Sequence, residues 1–136
     1  MYKLMSIDQS DATRIVELLN IDTGTIDKCF DDSALTNFKN FEFMKIDQEF
    51  DCKIALFGEI VEEKNDESVT CQILEPKVQV GKKILVRIKL GRDIYYIPRI
   101  QLEDCIKNQF IEYFYTRKDL IQVDNVIHGD LLTTLW

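Results

Sequence analysis

The sequence predicts an α+β fold: a small, strongly bent antiparallel β-sheet or barrel over residues 41–104, flanked by an N-terminal helix and a C-terminal helix. Three observations predict it. Residues 80–104, VGKKILVRIKLGRDIYYIPRIQLED, alternate with period two, placing Ile84, Val86, Ile88 and Leu90 on one face of a hairpin that turns at Gly91-Arg92-Asp93. Ala12, Ile15, Leu18 and Leu19 recur at helical spacing near the N-terminus. After Pro98, the residues Leu102, Cys105, Ile106, Gln109, Phe110, Tyr113 and Phe114 follow a 3.6-residue rhythm, which predicts a helix from about Leu102 to Thr116.

Taken in order, residues 2–7 open as a short strand. Ser10 then stands where an N-cap would begin the first helix, which frays near Asn20. Asp31-Asp32-Ser33 reads as the cap of a short turn of helix through Phe38. Phe41, Phe43 and Lys45 alternate with Glu42, Met44 and Ile46. A long strand follows over residues 51–62, with Cys52, Ile54, Leu56 and Ile60 to one side and a bulge at Gly58. The run EEKNDE (62–67) is a solvated turn, residues 69–74 return as a strand, and Pro76 ends it. Residues 120–127 form a last strand before an apolar tail over 131–136. Neither a repeat nor a linker divides the chain. A single domain is therefore expected: a helical segment over 1–40, a β-rich core over 41–104, and a helix with its tail over 105–136.

The closing stretch of the hairpin, IYYIPRIQLED (94–104), is similar to the end of SH3-like barrels, where an aromatic strand meets a proline and a short helical turn. The resemblance implies a shape for residues 41–104 and no activity.

Composition narrows function mainly by exclusion. With 136 residues, 46% of them hydrophobic and 30% charged, the chain can bury one core. It carries neither the apolar run of a membrane span nor the pattern of a signal peptide, so the cytoplasm is the expected compartment. Cys29, Cys52, Cys71 and Cys105 are widely spaced, without Cys-x-x-Cys, and read as reduced thiols inside apolar patterns. Dinucleotide, P-loop, nucleophile-elbow and calcium-loop motifs are all missing. His128 is the single histidine, so a two-histidine metal site is ruled out and any Cys–His pair must use it. The adjacent pairs Asp31-Asp32, Glu62-Glu63 and Glu103-Asp104 read as solvated surface. No catalytic residue, cofactor or metal is expected.

Charge is what remains. The net charge of −7 is unevenly spread: residues 41–75 hold ten acids against three lysines, and residues 76–99 hold seven bases against one aspartate. Two surfaces follow. Glu59, Glu62, Glu63, Asp66 and Glu67 form an acidic surface suited to a basic partner protein such as a nuclease, a toxin or a nucleic-acid enzyme, as an inhibitor, antitoxin or immunity protein would require. Alternatively, Lys83, Arg87, Lys89 and Arg92 with Tyr95 and Tyr96 form a basic, aromatic hairpin face for a small anionic ligand or single-stranded nucleic acid. Against this second reading, those bases can pair across strands with Glu59, Glu62, Glu63 and Glu75. The overall negative charge also disfavours direct nucleic-acid and membrane binding.

Overall fold

A computed structural model of the chain describes residues 1–11, 13–33 and 41–133. These residues are nearly all β, with no helix of seven or more residues. The strands are β1 (Tyr2–Gln9), β2 (Arg14–Asn20), β3 (Ile26–Asp31), β4 (Glu49–Phe50), β5 (Cys52–Ile60), β6 (Val69–Val80), β7 (Lys83–Leu90), β8 (Asp93–Pro98), β9 (Phe110–Val123) and β10 (Val126–Ile127). Two single 3-10 turns, Arg99–Leu102 and Gly129–Leu132, complete the described elements.

The α+β expectation is therefore corrected: neither flanking helix forms. Where the N-terminal helix was expected, β2 pairs antiparallel with β1 and β3. Val16 and Leu18 are buried with Arg14 in strict alternation while Ile15 faces out, so the apolar 15/18/19 spacing was shared between two faces of a strand. Where the C-terminal helix was expected, a 3-10 turn ends at Leu102 and β9 begins at Phe110. The run FIEYFYT is rich in aromatic and β-branched residues, and Ile111 and Tyr113 point inward with period two. Residues 41–47 form turns rather than a strand, and the short helix expected through Phe38 lies outside the described residues. Pro76 does not end β6. It sits where the β6–β7 register slips between Glu75 and Val78, beyond the stretch of β6 that pairs with β9.

Several local expectations are met. The β7–β8 hairpin turns at Gly91, in the left-handed region at φ 63°, and buries Val86 and Ile88. β5 buries Cys52, Ile54 and Leu56, and its register with β9 shifts between Phe57 and Gly58, where the extra residue, Thr116, lies on β9 rather than on β5.

The strands pair in the order β4-β1-β2-β3-β9-β5-β8-β7-β6, and β6 returns to pair with β9. Strands β5, β8, β7, β6 and β9 thus close a ring, and β3 extends the sheet outward from β9. β9 is the hub. Along one edge it pairs with β5; its other edge takes β6 at residues 110–113, β3 at Lys118 and Asp119, and β10 at Gln122 and Val123. The main core runs through both parts, joining Leu4, Val16, Leu18 and Cys29 to Ile54, Val86, Ile88, Tyr95 and Tyr113. A smaller cluster outside the ring gathers Val80, Leu85, Tyr96, Ile121 and Leu131, so Leu131 of the apolar tail packs on its own chain.

Candidate functional site

Strands β3, β9 and β5 present their outer faces side by side, and the segment after β10 folds back against them. Between them lies a pocket of about 240 Å³ lined by Phe30, Asp32, Phe57, Arg117, Asp119 and His128, among others. Alternation sets what faces it: Ala55 and Phe57 point outward because Ile54 and Leu56 point into the core. The guanidinium of Arg117 sits between two rings, 4.7 Å from the centroid of Phe30 and 4.4 Å from that of Phe57. It also donates to both oxygens of Asp119, from Nε at 2.6 Å and Nη2 at 3.2 Å.

His128, 4% exposed, forms the wall opposite. Asp32, His128 and Asp130 each place a possible metal-ligating atom within 4.8 Å of the others. The hydrogen bonds decide what this trio can do. The backbone N–H of Asp130 donates to Nδ1 of His128 at 3.0 Å, so Nδ1 must offer a lone pair. The neutral ring then carries its proton on Nε2, which donates to Asp32 Oδ1 at 2.6 Å. Neither nitrogen keeps a free lone pair for a metal or a substrate proton. The geometry describes a structural histidine that caps the last 3-10 turn and fastens it to the end of β3.

The acidic surface occupies the end of β5 and the turn that follows. Glu59, Glu62, Glu63, Asp66 and Glu67 are all exposed. The turn is held by its own bonds: Asn65 Oδ1 accepts from the backbone N–H of Glu67 at 2.8 Å and of Ser68 at 3.0 Å, and Ser68 Oγ accepts from the N–H of Asn65 at 3.0 Å. Phe57, 51% exposed, lies two residues before Glu59 on the same face, about 7 Å away along the strand. The acidic turn and the pocket mouth are therefore neighbours.

The hairpin bases do not form one face. Arg87 pairs with Glu75 at 2.8 Å across β6 and β7, the cross-strand arrangement weighed above. Tyr95 and Tyr96 are both buried and point to opposite sides. Tyr95 gives its hydroxyl to the buried carboxylate of Asp27, at 2.8 and 3.0 Å, while Tyr96 packs in the outer cluster. Arg87, Arg92 and Tyr96 share a cleft with Lys53, Asp22 and Asp51, whereas Lys83 is only 5% exposed and lines a different cleft. Lys89 stands exposed on its own strand.

The most connected groups carry no local signal in the sequence, because their partners lie far apart in the chain. Asp27 meets Lys118 at 2.5 Å and Tyr95 across more than sixty positions. Asp31, read as surface, is buried and accepts from Arg14 Nε at 3.0 Å and Nη2 at 2.8 Å. The thiols are poor nucleophiles. Burial pushes Cys29 well above its ordinary value, Cys52 up to about 12 and Cys71 up to about 11. No disulfide joins them. Comparison with protein-family models, curated proteins and solved structures finds no match.

Proposed function

We propose that this protein is a non-enzymatic binding domain of the inhibitor, antitoxin or immunity type, meeting a basic partner protein with the acidic end of β5 and the turn that follows. The observation that carries the reading is the state of five carboxylates. Glu59, Glu62, Glu63, Asp66 and Glu67 are exposed, and among the described residues none has an ion-pair partner, on a turn already held in shape by Asn65 and Ser68. A fixed array of unpaired charge loses little entropy on docking and steers an oppositely charged partner. Phe57 beside it supplies an exposed aromatic contact of the kind that anchors interfaces. Binding is favoured over catalysis because burial raises the thiols and both nitrogens of His128 are already engaged.

The test is calorimetric titration against purified basic nucleases, toxins and nucleic-acid enzymes at low and high salt. A saturable, salt-sensitive complex is expected. Replacing the five carboxylates by their amides should weaken it about tenfold or more without changing the melting temperature. Failure of every basic partner to bind, or equal binding by the amide variant, would sink the reading.

A further inference from the structure

A second charged feature lies at the opposite end of β6 from the acidic turn, about 25 Å away along the strand. Lys77, Lys82, Lys83 and Arg99 line an open cleft of about 510 Å³ with Ile84, Pro98, Ile100 and one acid, Glu103. Among the described residues, Lys77, Lys82 and Arg99 bring three cations to the solvent side of this cleft beside the acid Glu103, in a chain whose net charge is −7. Among the described residues, Lys77, Lys82 and Arg99 have no carboxylate within ion-pair distance. The guanidinium of Arg99 is not idle, since Nη1 donates to the backbone carbonyl of Pro76 at 3.2 Å, which fixes its position beside Lys77. Ile100, 79% exposed, stands next to these charges as an apolar wall with Pro98.

We infer that this cleft binds a phosphorylated small molecule, with its phosphates against Lys77, Lys82 and Arg99 and an apolar or planar portion against Pro98 and Ile100. Clustered cations without counter-charges repel one another, and a multiply charged anion relieves that repulsion while gaining charge-assisted hydrogen bonds. The apolar wall would be unused by an inorganic ion, which favours an organic polyphosphate such as a nucleotide over phosphate alone. The inference is independent of the acidic face, which shares no residue with the cleft.

The experiment titrates the protein with inorganic pyrophosphate and with ATP as probes. Both should bind at one site, with ATP tighter and both weakened by salt. Lys77 and Lys82 are exposed and tolerate replacement, so Lys77→Ala/Lys82→Ala should lower affinity for both probes about tenfold or more with an unchanged melting temperature. Arg99→Gln should weaken both, Ile100→Ser should weaken ATP alone, and Glu103→Gln should tighten both. Arg92→Ala, in another cleft, should change neither. Absence of binding by both probes overturns the inference, as does equal binding by the double-lysine variant. Tighter binding of a short single-stranded oligonucleotide than of ATP, lost in the same variants, would overturn it in favour of a nucleic-acid groove.

Discussion

The carboxylate of Asp27, 1% exposed, is held by Lys118 and Tyr95 and is costly to leave unpartnered. Burial alone pushes the Lys118 ammonium down, but its hydrogen bond to Asp27 and the aspartate's charge outweigh burial and raise it above its usual value of 10.5. Lys118→Met should therefore destabilise the fold by about 3 kcal/mol, because it strands a buried charge. The double variant Asp27→Asn/Lys118→Met should recover much of that loss in urea titrations, since the uncompensated charge goes with it. A double variant no more stable than Lys118→Met would refute this account. The thiols give a pH dependence of definite sign. Burial raises Cys52 to about 12 and Cys71 to about 11 from an ordinary value of 9.0, so folding favours their protonated forms. Their contribution is complete below pH 9.0 and is lost as the pH climbs through 11 and 12. The urea midpoint should fall over that range, and less steeply in Cys52→Ala/Cys71→Ala. Iodoacetamide should label Cys105 first in the native protein, because the other three are buried.

At the scale of elements, Gly58 shows how closely β5 and β9 approach at their bulge. A Cβ there would meet the carbonyl oxygen of Phe114 at 1.9 Å and Tyr115 Cα at 2.6 Å, both backbone atoms that cannot rotate away. Gly58→Ala should cost about 3 kcal/mol by forcing the strands apart. Gly91→Ala, at φ +63° with nothing within 4 Å, should cost only the left-handed strain of about 1 kcal/mol. Thermal unfolding of the two variants checks the order, and a milder effect at Gly58 would mean that the bulge yields. The β7–β8 hairpin was legible because it rests on a local signal, a glycine turn between two alternating rows; Gly58 marked the place of the irregularity, but its extra residue, Thr116, lies on β9, more than fifty positions away. The sequence misled at β2 and β9 because their apolar residues satisfy two periods at once. Leu18 and Leu19 are adjacent, so one fits a strand row and both fit a helical stripe. Phe110, Tyr113 and Phe114 do the same at the start of β9, and only Ile111 and the aromatic run betray the strand.

For the molecule as a whole, legibility falls with distance along the chain. The acidic turn could be located because its five carboxylates lie within nine positions, whereas the trio Asp32, His128 and Asp130 reaches from residue 32 to residue 130 and carried no local mark. The same remoteness governs folding. β3 reaches β9 at Cys29↔Lys118 and Phe30↔Asp119, and the ring closes only when β9 has found both β5 and β6. Loops of that length must close before their contacts repay the entropy, so folding should take milliseconds to seconds rather than microseconds. The β1–β4 part could in principle melt separately, since it meets the ring through few backbone pairs. Its inward side chains argue otherwise: Leu4, Val16, Leu18 and Cys29 belong to the same buried cluster as Val86, Ile88 and Tyr113. The buried Asp27–Lys118 pair crosses the same boundary, and Asp93 accepts from Thr23 and Thr25 at 2.7 and 2.8 Å to tie the β2–β3 turn to the β7–β8 turn. Unfolding should accordingly be one transition, with far-ultraviolet dichroism, which reports all strands, coinciding with the near-ultraviolet signal, to which Tyr95, Tyr96, Tyr113 and Tyr115 of the ring contribute together with Tyr2 of β1 and Trp136. Amides of β2 and β7 should exchange hydrogen with the same opening free energy. Earlier exchange throughout β1–β3, with β7 still protected, would show instead that the ring stands alone and the N-terminal strands merely lean on it.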